Sequence, residues 1–296
     1  MILVVCPNPS VDIYWEMDTI KFGDLNRIKQ QHKFPGGKGV HVAINIAELG
    51  ENVTLLGIWG GSTGKWARAA CEQKNVYCDG VYIAEDNRNC IAVLSKNESI
   101  LHTEFLENGP QINNEIYKQF FDTYTTYLSK ASHIVVSGSW PPGANIDPNG
   151  IFIDAANKNN IPVWIDCAGE ALQQALSHHP FGIHINQQEA KDICPTGLQI
   201  EEFFLQFTTQ LALTAGKEGL YLYDAKQVAH AVYKVDEVIS TVGCGDALLA
   251  GIVTASARKF SYNDIAKMGA ACGAANCMRF DIGMFYKKDV ESFYNN

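Results

Sequence analysis

Three short stretches hold residue types that could do chemistry. In STVGCGDALLAG, residues 240–251, two glycines flank a cysteine, and an aspartate follows where an apolar helical pattern begins. Gly243 and Gly245 let the backbone turn so that N–H groups point inward at a helix start, where unpaired amides and the helix dipole favour an anion. The turn of Gly243, Cys244 and Gly245 thus has the make-up of a phosphate cradle. Asp246 falls in the first helical turn, where the dipole stabilises a carboxylate and is expected to lower its pKa. Alone, such an aspartate is most simply a cap or dipole partner. A second glycine cluster, PGGKG at 35–39, also opens a helix and carries Lys38. Two such entries suit a pair of anionic ligands, for instance a nucleotide and a phosphorylated acceptor.

The third stretch, GGSTGK at 60–65, is one residue short of a P-loop and is followed by Trp66 where a metal-binding Ser or Thr is required. No G-x-G-x-x-G follows the first apolar run, so a dinucleotide cofactor has no support. A net charge of -9 removes any surface-wide basic field, which argues against nucleic acid or an acidic membrane as partner. The nine cysteines form no C-x-x-C pair and are expected to be reduced, packed thiols. The histidines lack metal-ligand spacing, so no transition metal is assigned. MILVVC opens the chain without a basic leader, and no apolar run approaches the roughly 20 residues that span a bilayer. A cytoplasmic protein is expected.

The elements that must position these residues alternate along the chain. Segments 2–6, 53–59, 133–139, 163–168, 182–186 and 211–216 are short, apolar and β-branched or aromatic, as buried parallel strands are. Helical patterns lie between them at 39–50, 64–75, 114–131, 169–176 and 201–211. The expectation is one α/β domain over residues 1–296, a three-layer doubly wound, mostly parallel sheet. Residues 11–34 and 88–106 break the rhythm, alternating apolar with polar around Gly23-Asp24 and Lys96-Asn97. They read as half-exposed antiparallel strands forming a small β lid over one end. In such sheets ligands bind beyond the carboxyl ends of the strands.

In this order and spacing, NPSVD (8–12), GDLNR (23–27), FPGGKGVHVAINIAELG (34–50), GGSTG (60–64), TEFLENGP (103–110), SGSWPPG (137–143), DCAGEAL (166–172), NQQE (186–189), TAGKEG (214–219) and STVGCGD (240–246) resemble the PfkB, or ribokinase-like, carbohydrate kinases. NPSVD, GDLNR and TEFLENGP point to the phosphosugar branch of 1-phosphofructokinase and tagatose-6-phosphate kinase. The resemblance implies that Asp246 is the base that takes the acceptor hydroxyl's proton, and that the amides of Gly243, Cys244 and Gly245 stabilise charge on the transferred phosphoryl group. It implies that Asp12 binds sugar hydroxyls, that Gly36, Gly37 and Lys38 line the sugar site, and that Ser139 lies near the substrate. Arg88 and Arg27 are the candidates for the sugar's own phosphate, since guanidinium grips phosphate through a bidentate fork. For ATP, the resemblance implies Asn186 and Glu189, with Glu189 organising Mg2+ through water. It also implies Thr214, Gly216 and Gly219 beside the phosphates and ribose, and Asn276 beside the adenine. A homodimer through the β lid is a further implication.

Three departures stand out. His41 replaces the sugar-contacting asparagine of the family, a ring of different reach and possible charge. His184 stands where the branch has a lysine, and Cys244 replaces an alanine. The readings left open are an ATP-dependent kinase of a ketohexose phosphate, with fructose 1-phosphate ahead of tagatose 6-phosphate and fructose 6-phosphate; a kinase of an unphosphorylated sugar or nucleoside; and a non-catalytic sugar-binding relative.

Overall fold

In the first strand, Ile2, Val4 and Cys6 face one hydrophobic core while Leu3 and Val5 face another. Both sides of the strand are buried, so its sequence reads as a continuous apolar run rather than an alternation. Each buried aliphatic side chain of this kind contributes about 1.5–3 kcal/mol. A computed structural model of the chain describes residues 1–95, 100, 103–144, 147–281 and 283–295. Thirteen strands and ten α-helices follow the order β1 (Ile2–Cys6), β2 (Ser10–Glu16), β3 (Gln30–Gly36), α1 (Lys38–Glu48), β4 (Val53–Gly60), α2 (Gly61–Glu72), β5 (Tyr77–Ile83), β6 (Arg88–Leu94), β7 (Glu104–Leu106), α3 (Asn114–Tyr127), β8 (His133–Ser137), α4 (Gly150–Lys158), β9 (Val163–Asp166), α5 (Gly169–Leu176), β10 (Gly182–Asn186), α6 (Gln187–Ile193), α7 (Ile200–Phe204), β11 (Gln210–Thr214), β12 (Leu220–Tyr223), β13 (Val228–Ala231), α8 (Cys244–Ala257), α9 (Tyr262–Cys277) and α10 (Lys287–Tyr294) among the described residues.

The main sheet has nine strands in the order β13-β12-β11-β10-β9-β8-β1-β4-β5. β12 and β13 close one edge antiparallel, and every other neighbour pairs in parallel. Strand order reverses between β1 and β8, which makes the space beyond their carboxyl ends the expected ligand crevice. The core on one face of the sheet includes α1, α8 and α9; the other includes α3, α4 and α5. α8 is buried along Asp246–Ala255, so its sequence is apolar on all sides rather than striped.

The lid is a four-stranded sheet in the order β3-β2-β6-β7. Its two hairpins are antiparallel as expected, but β2 and β6 join them in parallel, with Ser10 opposite Arg88 and Asp12 opposite Cys90. That register sets two candidate ligand-binding side chains, Asp12 and Arg88, on adjoining strands. The expected turn at Lys96-Asn97 lies outside the described residues.

The helix read over 201–211 was too long. Only Ile200–Phe204 is helical, and Gln210 and Leu211 instead pair with Gly182 and Ile183 in the main sheet. The Thr208 hydroxyl donates to the carbonyls of Pro180 and Phe181, fixing the chain reversal. Pairing in the sheet overrides a local helical period here. Among the described residues no helix is long and apolar enough to cross a membrane.

Candidate active site

The strands deliver their chemistry at their carboxyl ends, around a cavity of about 1240 Å³ roofed by the lid. Beneath the lid its wall includes Asp12, Gly37, Lys38, His41, Arg88 and Ser139. Asn186, Glu189, Thr214, Gly216 and Gly219 line it from the ends of β10 to β12. Between the two groups lie Gly243, Cys244, Gly245 and Asp246 at the start of α8.

In the turn before α8 the Ser240 hydroxyl accepts from the Val242 amide at 3.2 Å, and backbone geometry sets the rest. Gly243 takes a left-handed φ of 78° and no side chain caps the helix. A Cβ there would lie 2.2 Å from Gly283 Cα, so only glycine fits. The Cys244 amide donates to the Thr241 carbonyl at 3.3 Å, so the expected trio of free amides is reduced by one. Among the described residues, the amides of Gly243, Gly245 and Asp246 have no acceptor. An anion at such a helix start gains about 0.3–1 kcal/mol at an exposed site and up to ~2 kcal/mol when partly buried.

Asp246 is buried, and its Oδ2 meets His41 Nδ1 at 2.9 Å. The other imidazole nitrogen, Nε2, lies 3.4 Å from Asp12 Oδ2. Asp12 Oδ1 accepts the Ser10 hydroxyl at 2.6 Å. His41 therefore sits between two buried carboxylates, a position for an imidazolium. Burial alone would depress its pKa, but the charges of Asp12 and Asp246 and the hydrogen bond to Asp246 lift it to about 10. The expected lowering at Asp246 does not occur. Burial pushes its carboxyl up, with the His41 hydrogen bond and charge pulling the other way. Two glycines make room for this cluster: a Cβ on Gly36 would lie 1.9 Å from Asp12 Oδ1, and one on Gly283 would lie 2.4 Å from His41 Cγ.

A second cluster stands beside it. Lys38 Nζ bonds Asp166 Oδ1 at 2.9 Å, and the Ser137 hydroxyl donates to Asp166 Oδ2 at 3.1 Å. Asp166 raises the Lys38 ammonium well above its ordinary value. Burial opposes ionisation of Asp166, yet Lys38 and His184 hold its carboxyl far below the usual range. His184 is buried with Nδ1 3.5 Å from Asp166 Oδ1. It packs on Gly245, where a Cβ would come within 2.7 Å of its ring.

Asn186 and Glu189 form a capping box at the start of α6: Asn186 Oδ1 accepts from the amides of Gln188 and Glu189, and Glu189 Oε2 accepts from the Asn186 amide. The N-x-x-E spacing thus has a structural use. Among the described residues it leaves Glu189 Oε1 without a hydrogen-bond partner at the cavity wall, an oxygen of the right kind to hold a hydrated magnesium ion. Among the described residues no group of three or more His, Cys, Asp or Glu side chains could hold a metal by themselves.

Three expected residues stand apart. Arg27 is exposed in the loop between β2 and β3 and does not line the cavity. Gly36 lies behind Asp12. Asn276 is buried, its amide donating to the Met284 carbonyl at 3.0 Å, and Cys277 takes the wall position instead. A helix turns about 100° per residue, and motif spacing could not tell which neighbour faces inward. Asp166 was missed as a site residue, although its place at the end of β9 marked it by the strand-end rule.

A profile described as pfkB family carbohydrate kinase matches residues 8–283. The chain belongs to the pfkB family of carbohydrate kinases. As a member it is an ATP-dependent sugar kinase. Solved structures share the whole fold. Phosphofructokinase-2 from Escherichia coli in its tetrameric inhibited form is 25% identical, with 99% of this chain and 98% of that chain covered at a TM-score of 0.89. The same enzyme in complex with fructose-6-phosphate is 23% identical over 99% and 98%, with a TM-score of 0.88. Arabidopsis thaliana ribokinase complexed with ribose and ATP is 20% identical over 99% and 98%, with a TM-score of 0.83.

Proposed function

We propose that this pfkB kinase transfers the γ-phosphoryl group of ATP to a hydroxyl of a ketohexose phosphate, with fructose 1-phosphate the first candidate acceptor and fructose 6-phosphate and tagatose 6-phosphate the alternatives. The observation that carries it is the line from Asp12 through His41 to Asp246, ending at free amides of the α8 turn inside one cavity. Asp12 and Ser139 hold sugar hydroxyls. Asp246 Oδ2 is fixed by His41, which leaves Oδ1 to accept the hydroxyl proton as the oxygen attacks phosphorus and ADP departs. The amides of Gly243 and Gly245 then stabilise charge spreading over the transferred group. Asn186, Glu189, Thr214, Gly216 and Gly219 line the nucleotide end, and Val238, Gly273 and Ala274 offer an apolar slot for the base. Magnesium, held through water by Glu189, would neutralise charge on the β- and γ-phosphates.

Arg88 is the guanidinium on the sugar side of the cavity, its Nε donating to the Asn8 carbonyl at 3.3 Å. Its remaining donors are the group we assign to the sugar's phosphate. Arg88→Ala should raise the KM for the phosphosugar by about tenfold or more, the loss of one charge-assisted pair, and barely move the KM for ATP. A coupled ADP-release assay across phosphorylated and free ketohexoses checks this. An unphosphorylated acceptor is the reading favoured by the position of Arg27 outside the cavity, and an unchanged phosphosugar KM in Arg88→Ala would support it.

The lid carries exposed apolar side chains, with Phe22 at 92%, Leu25 at 83% and Leu106 at 61% exposure. Lone monomers seldom leave such a group bare, and pairing of two lids in a homodimer would cover it. Light scattering should give twice the chain mass of 32.6 kDa; a monomer across the micromolar range would refute the dimer. A cytoplasmic location fits a kinase that draws on ATP.

A further inference from the structure

Cys244 and Cys277 meet at the wall of the cavity with their sulfurs 2.9 Å apart. Cys244 is the first residue of α8, inside the phosphate turn, and Cys277 is the last residue of α9. Both are half-buried and both line the cavity, so a small oxidant in the cavity reaches them. Five other cysteines (Cys6, Cys71, Cys78, Cys167 and Cys272) are buried. A disulfide bond is about 2.05 Å long, so closure needs a movement of less than about 1 Å.

We propose that Cys244 and Cys277 are a thiol pair that a hydroperoxide oxidises reversibly to a disulfide, and that the bond switches off phosphoryl transfer. The second half rests on the kinase reading above. The hydrogen bond between the sulfurs lowers the Cys277 thiol and, with burial, raises that of Cys244, so Cys277 ionises first. Its thiolate attacks one peroxide oxygen, the O–O bond breaks, and the leaving oxygen takes up a proton as alcohol or water. Cys277 is then a sulfenic acid. Cys244 sulfur attacks the sulfenic sulfur, its proton leaves with the hydroxide as water, and the S–S bond forms. Two electrons pass from the two thiols to one peroxide, and a dithiol reverses the step by exchange.

The effect on transfer follows from what Cys277 already holds. The amides of Ile239 and Ser240 donate to its carbonyl at 2.8 and 3.3 Å, and the Cys244 amide closes the turn on Thr241. A covalent tie would make α9 dictate the position of the turn. Transition-state donors must sit about 2.7–3.1 Å from the developing charge, so a shift of tenths of an ångström at Gly245 weakens them.

The test treats the purified protein with hydrogen peroxide, blocks remaining thiols, and reads peptides by mass spectrometry beside ATP turnover. The expected result is a species joining the Cys244 and Cys277 peptides, two hydrogens lighter than the pair, with activity down at least about tenfold and restored by dithiothreitol. Cys277→Ala should keep its own starting rate through the same treatment. Absence of the joined peptide overturns the proposal, as does full activity in the joined form or equal inactivation of Cys277→Ala. Joined peptides from a protein that never turns over ATP, even when reduced, would contradict the kinase reading and uphold the thiol pair as a modification site.

Discussion

Asp246→Asn should lower turnover by about 10²–10⁴-fold, the range for removing a general base, and leave ATP affinity near that of the unaltered protein. Asparagine keeps the size and retains an oxygen for the hydrogen bond from His41 Nδ1. It cannot take up a proton. The nucleotide end is formed by other residues, from Asn186 to Gly219, so binding should survive. Steady-state ADP release paired with calorimetric titration of ATP separates the two. Turnover within tenfold of the starting enzyme would mean that another group takes the proton. Because burial raises the Asp246 carboxyl, the acid limb of the rate profile should lie above the ordinary aspartate value.

His41→Ala should destabilise the fold by about 3–5 kcal/mol, the cost of removing one partner from a buried ion pair. Asp12 and Asp246 would be left buried without the imidazolium between them. The pH dependence has a definite sign. A histidine whose folded pKa is lifted from 6.5 to about 10 stabilises the protein fully below 6.5, and that contribution is lost as pH rises through about 10. Denaturant unfolding of both proteins at pH 7.5 and near 10.5 should show the gap narrowing at the higher pH. A gap independent of pH would show that His41 is held neutral. Activity should fall as well, since the ring aligns the base.

Much of this was legible in the sequence, and the limits have physical reasons. Apolar runs such as ILVVC announced strands buried on both faces, and the glycine spacing at 243–245 announced the turn, because only glycine tolerates its φ and its contact with Gly283. The parallel join of β2 to β6 was not readable, since alternation fixes which face a residue takes and not which strand it meets. The direction of the Asp246 shift was misjudged because the helix dipole is local and burial is a tertiary property. The placing of His41 between two carboxylates was hidden likewise: Asp12, His41 and Asp246 lie far apart along the chain and meet only in the fold. Asn186 and Glu189 show the reverse, a capping box whose local role is complete in four residues.

Crystals of the protein grown with a non-hydrolysable ATP analogue, magnesium and fructose 1-phosphate would locate the transferred group directly. The γ-phosphate oxygens should lie about 2.7–3.2 Å from the amide nitrogens of Gly243 and Gly245, with a sugar hydroxyl on Asp246 Oδ1 facing the phosphorus. A nucleotide bound with its γ-phosphate away from the α8 turn, or a sugar with no hydroxyl within reach of Asp246, would contradict it.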